Sequence, residues 1–150
     1  MRKPILIALV PALLCGIAVG ASSQQRLGFT TRVAPDHWTA GTVVQVAAVI
    51  PNTQVKLADR RCLFLLGLRY NPRLGPFVIP PIILGVGTFK KEKVGRKDVL
   101  VAKMRFQVPK RLPKGLKVNL YLQGVAAIQG RGRPAIAFST PAQALLQTRP

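Results

Sequence analysis

A chain of 150 residues holds one domain, with little room for a second. Its apolar share of 49% supports a real core, but aromatics at 6% leave that core mostly to Val, Ile, Leu and Ala. Lys and Arg number 23 against four acids, Asp36, Asp59, Glu92 and Asp98, and a single histidine, His37, which is poor stock for a metal site or a catalytic constellation.

The chain begins with Arg2 and Lys3 before PILIALVPALLCGIAVGA, a positive n-region, an apolar h-region and a small-residue exit. That layout predicts a secretory signal peptide over residues 1–21, read as a helix, with Val19 and Ala21 at the −3 and −1 positions of a cut after Ala21. A cut after Gly20 is the near alternative, and an uncleaved N-terminal anchor the further one, although Pro11 interrupts the apolar run. Leu14 before Cys15 is too large for a lipobox. Cleavage removes Arg2 and Lys3, so the net charge falls by two, from +19 to +17. It also removes Cys15, leaving Cys62 as the mature cysteine and no intrachain disulfide. Cys62 sits in CLFLLGL and is expected to be a buried small hydrophobe.

Residues 22–40 read as an N-terminal linker or short strand, with a short strand possible from Leu27 to Val33 and a loop at Asp36-His37-Trp38 around one buried Trp. The β-sandwich domain is placed at 41–148. In GTVVQVAAVI, Thr42, Val44, Val46, Ala48 and Ile50 share one face; the other is also largely apolar, which predicts a strand buried or covered on both sides. Arg61 to Tyr70 follows as a strand rather than a helix, since it is short and contains Gly67. Pro80-Pro81 cannot donate to a central ladder, so they mark an edge or a crossing between sheets before a strand at Ile82 to Phe89.

Lys90 to Asp98 is the most charged segment, and Gly95 suits a hairpin tip. On the return strand, Leu100, Ala102, Met104 and Phe106 point one way, and Val99, Val101, Lys103 and Arg105 the other. Lys90, Lys91, Lys93, Arg96, Lys97, Lys103 and Arg105 are therefore the candidate polyanion-binding residues, read as one positive ribbon. Basic turns follow at Lys110, Arg111 and Lys114 and at Arg131 and Arg133. Between them Leu116, Val118, Leu120 and Leu122 alternate with Lys117, Asn119, Tyr121 and Gln123. A strand with Ile136, Phe138 and Thr140 on one face, a bend at Pro141 and a last short strand precede the tail 147–150. The pattern is all-β, with about seven or eight short antiparallel strands, which argues for a β-sandwich or a small barrel; uneven strand lengths and prolines that need edges or crossings favour the sandwich.

Phe106, Val108-Pro109, Leu112, Gly115, Tyr121, Gln123 and Phe138-Ser139 form a pattern that resembles a module at the ends of secreted bacterial proteins of planctomycete type. The resemblance implies an exported immunoglobulin-like or related sandwich and no particular activity. Tyr121 and Gln123, on the polar side of their strand, are expected to bridge to a neighbouring strand or loop rather than to a ligand.

For chemistry the residues are unpromising. Asp36 beside His37 does not place a carboxylate on the imidazole as a triad needs, and Ser139 lacks the G-x-S-x-G setting. Gly85-Val86-Gly87 lacks the rest of a dinucleotide loop. The expectation is a non-enzymatic exported protein with no metal and no cofactor, playing a structural, adhesion or binding role at or outside the cell envelope. The first alternative is a cationic binder of polyanions (nucleic acid, acidic glycan or lipopolysaccharide). The second is a small hydrolase, which needs a cleft around His37 and an acid.

Overall fold

In the computed structural model, which describes residues 27–150, the alternating segments lie in two sheets. One has four strands: β1 (Thr30–Ala34), β3 (Val43–Ile50), β7 (Lys97–Gln107) and β6 (Lys90–Val94), hydrogen-bonded in the order β1-β3-β7-β6. The other has six. β2 (His37–Trp38), β10 (Ala142–Gln147), β8 (Lys117–Gln129), β4 (Leu57–Gly67) and β5 (Ile82–Thr88) follow in that order, and β9 (Pro134–Phe138) pairs with the far end of β8. The signal-peptide reading of 1–21 lies outside the described residues.

The all-β sandwich expectation holds, with more strands than expected. The described residues contain ten. β6 is too charged to stand out as a strand, and β2 is two residues long, too short to show alternation. Pairing is antiparallel apart from β2, which runs parallel to β10 through Leu145↔His37 and Leu146↔Trp38. The segment read as linker or short strand thus supplies β1, paired with β3, and β2.

The core lies between the sheets. On β3, Val44, Val46, Ala48 and Ile50 are fully buried, as their shared face requires. They meet Cys62 and Phe64 of β4, Leu120, Leu122 and Ala126 of β8, and the side chains of Phe29, Trp38 and Phe89. Trp38 stands edge-on to Phe106 at 5.3 Å and donates its Nε1 hydrogen to Pro35 O at 2.7 Å. Each such buried large side chain contributes about 1.5–3 kcal/mol over its exposed form.

A second apolar cluster covers the outer face of the six-stranded sheet: Leu63, Leu65, Val78, Val125 and Phe138, with Tyr70, Phe77, Tyr121 and Ile136 against them. The strands buried on both faces are therefore β4, where Cys62 to Leu65 is buried without a break, and β8, buried from Leu122 to Ala127, and not β3. The outer residues of β3 are half-buried, and Val43 is exposed, because β1 and β7 flank them but no strand among the described residues lies over them.

Gln123 holds this cover in place. Fully buried, it donates Nε2 to Pro76 O (2.6 Å) and Ser139 O (2.8 Å) and accepts from Val78 N at 3.0 Å. The expected bridge to a loop is present, but on a covered face rather than a wet one. A buried polar side chain that meets its partners so fully fixes a single docking position for the loop. Ser139 continues the network: its hydroxyl bonds that of Thr31 and accepts from Gly124 N at 2.8 Å.

Candidate functional site

Alternation decides where the basic hairpin residues go. β6 and β7 meet in the register Lys90↔Val101, Lys91↔Leu100, Glu92↔Val99 and Lys93↔Asp98, and close through Gly95 and Arg96. Gly95, at φ 66, takes the left-handed conformation that a two-residue turn beginning with glycine demands. Opposed residues share a face. Lys90 and Glu92 therefore lie on the outer face with Lys103 and Arg105, while Lys91 and Lys93 lie on the other.

The continuous positive ribbon is thus divided. Lys103 is tied to Glu92 at 3.0 Å, and Lys93 stands opposite Asp98. Lys90, Lys91, Lys93, Arg96, Lys97, Lys103 and Arg105 are all exposed, on a hairpin whose first strand is an edge of its sheet. Lysines on an edge strand also discourage pairing with another chain.

The structure gathers a different set. A cleft of about 670 Å³ opens at one end of the sandwich, lined by Val55, Lys56, Leu57, Arg60, Phe89, Lys90, Lys91, Leu100 and Gln129. Two main-chain bonds build it. Phe89 N donates to Arg60 O at 2.7 Å where the chain crosses from β5 to β6, and Gln129 N donates to Lys56 O at 2.8 Å where β8 ends. These bonds bring three chain segments, 55–60, 89–91 and 129, to one opening. Phe89 is buried at the bottom, while Val55, Leu57 and Leu100 are half-buried against the core. Lys56, Arg60, Lys90 and Lys91 are exposed at its edge.

No acid lines this cleft. Among the described residues the ion pairs are Arg61–Asp59 at 2.7 Å and Lys103–Glu92, so neither engages a cleft cation. Asp59, buried, also accepts from Arg61 N and Nε, and the side-chain hydrogen bond raises the Arg61 guanidinium above its ordinary pKa. Lys90 and Lys91 are legible in the sequence as members of a charge run. Lys56 stands alone there and Arg60 adjoins only Arg61, so neither belongs to a charge run; only the bonds to Phe89 and Gln129 bring them to the hairpin.

The remaining basic turns divide between the ends of β8. Arg131 and Arg133 follow its Gln129 end, the cleft end, whereas Lys110, Arg111 and Lys114 precede its Lys117 end. Thirteen residues of strand separate the two groups by about 40 Å.

Asp36 and His37 are exposed at the β2 edge, and neither they nor Asp59 nor Ser139 lines the cleft. Cys62 is free and fully buried, and burial pushes its thiol far up. No three of His, Cys, Asp and Glu gather as a metal site among the described residues, and no helix among them is long and apolar enough to cross a membrane. No family model matches the chain, and no curated protein matches it.

Proposed function

We propose that this chain is an exported, non-catalytic, immunoglobulin-like β-sandwich that binds polyanions at or outside the cell envelope. One observation carries the binding reading: Lys56, Arg60, Lys90 and Lys91 line a single cleft that no acid lines. A concave site of one sign with apolar walls focuses its field and concentrates counter-ions. Phosphate or sulfate groups of nucleic acid, acidic glycan or lipopolysaccharide have the matching charge. Phe89, the one aromatic in the lining, is buried, so the cleft favours contacts with charged groups over base stacking.

The immunoglobulin-like assignment is supported by strand order. β1-β3-β7-β6 against β10-β8-β4 has the ABED and GFC arrangement of that fold, with β5 added beside β4. Export rests on the pattern of residues 1–21 and on the resemblance to secreted planctomycete-type modules. The non-catalytic reading rests on where the reactive groups lie. Ser139 is buried in a hydrogen-bond network, Asp59 is engaged by Arg61, and Asp36 and His37 lie outside the cleft. A structural or adhesion role without a charged ligand has one observation in its favour, the edge position of β6, where lysines serve as a guard.

The test is binding of the purified protein and its K90E/K91E variant to heparin and to labelled DNA across a salt series. Binding by the wild type is expected to survive about 0.15 M salt, where the Debye length is about 8 Å. The variant should bind at least about tenfold more weakly, with its slope on DNA shallower by about 0.9 for each phosphate that it no longer neutralises. Wild-type binding that vanishes at that salt would leave the charge as a surface property and favour the structural role.

A further inference from the structure

We infer that the basic cleft takes an anionic amphiphile: a phosphate or other acidic headgroup held at the cation edge, with a short alkyl chain laid against the apolar side chains that line the opening. The inference rests on the polyanion-binding reading above and narrows it to a ligand with an apolar tail. A site for charged polymer alone needs only a polar surface. Here the cations surround an opening whose inner residues, Val55, Leu57, Phe89 and Leu100, belong to the inter-sheet core or pack against it. A ligand passing the lysines therefore meets apolar side chains next.

The volume, about 670 Å³, falls in the usual range for small-molecule pockets, about 300–1,000 Å³. The chemistry is graded from outside to inside. Lys56, Arg60, Lys90 and Lys91 are exposed, Leu57 and Leu100 half-buried, and Phe89 buried. Gln129, also in the lining, adds an uncharged donor and acceptor near the edge. A free anion would use the first of these layers and leave the others wet; an amphiphile uses them all.

The experiment is calorimetric titration of the purified protein with inorganic phosphate and with butyl, octyl and dodecyl phosphate below their critical micelle concentrations, beside heparin. Affinity is expected to rise with chain length, by up to about fourfold for each methylene that becomes buried, and to level off once the cleft is filled. V55W, which fills the cleft from a loop position, should flatten that rise. Amide shifts of Leu57, Phe89 and Leu100 in the unaltered protein supply a second readout that does not depend on the variant folding. Equal affinity for all the phosphates, with heparin still bound, would overturn the amphiphile and leave polyanion binding standing. Failure to bind either heparin or any phosphate would overturn both. A chain-length rise without shifts at those amides would place the alkyl chain elsewhere, for example at exposed Ile82, Ile83 and Val86, and would also overturn the assignment.

Discussion

β5 and β6 are neighbours in sequence, separated by Phe89 alone, and each is the last strand of its sheet. They manage the hazard of an open edge in opposite ways. β6 is Lys-Lys-Glu-Lys-Val, exposed except for half-buried Glu92, and charge deters another strand from pairing with it. β5 is Ile-Ile-Leu-Gly-Val-Gly-Thr and leaves Ile82, Ile83 and Val86 about half exposed. Its protection is close packing: a Cβ at Gly87 would stand 2.5 Å from Lys103 O, and one at Gly85 2.9 Å from Met104 Cε. The β6 pairing covers β7 only from Lys97 to Val101, and β5 closes on the stretch just beyond. One continuous segment thus completes both sheets. It changes sheets at Phe89 because that buried ring and the bond from the Phe89 main-chain N to Arg60 O fix the crossing, and the cleft opens at the same point.

The comparison breaks most readily at Gly87. Gly87→Val must displace main chain at Lys103 as well as the Phe64 ring, so a loss of about 3 kcal/mol is expected in urea unfolding, the upper end for overpacking. Gly85→Ala meets the flexible end of Met104 and should cost clearly less. If the two rank in reverse order, β5 is not closed against the β7 main chain.

Gln123→Ala removes three hydrogen bonds to the segment that leads into β5 and to Ser139. About 1–3 kcal/mol is expected for each buried group left unsatisfied, with lower protection of the Val78 amide in hydrogen exchange. Unchanged protection there would mean that the loop is held by its apolar contacts.

Exchanging the two kinds of edge sharpens the contrast with little cost in stability. Ile83→Lys with Val86→Lys should stay within about 0.5 kcal/mol of the parent, as exposed substitutions usually do, while reducing light scattering on heating. Lys91→Val with Lys93→Val should do the reverse, giving a mass that grows with concentration in sedimentation. The smallest effect is expected at Cys62 in a Cys15→Ser protein. Its thiol, pushed up by burial, should resist alkylation at pH 8 under native conditions and react once urea unfolds the chain.

Legibility followed period and punctuation. The inward face of β3, the Gly95 turn and the edge, one of the two readings of Pro80-Pro81 (the crossing comes at Phe89 instead), were readable because alternation and turn chemistry are local properties. The tail was not: Thr148 bonds Leu116 N and Pro113 O across 32 and 35 residues, and Arg149 O accepts from Gly115 N. The candidate site was half legible. Lys90 and Lys91 stood out within a charge run, but a run says nothing about which members face the same way, and the pairing of Lys103 with Glu92 removes one of them.

By itself the sequence determined the all-β class, the basic surface and the positions of most turns, because each follows from composition or from contacts a few residues apart. Only the tertiary structure decided that β4 and β8 rather than β3 are buried on both faces, since that depends on a loop folding back under Gln123. It also decided that Lys56 and Arg60 join Lys90 and Lys91 at one opening. Strand register and the crossing at Phe89 juxtapose residues some thirty positions apart, and no local pattern records that distance.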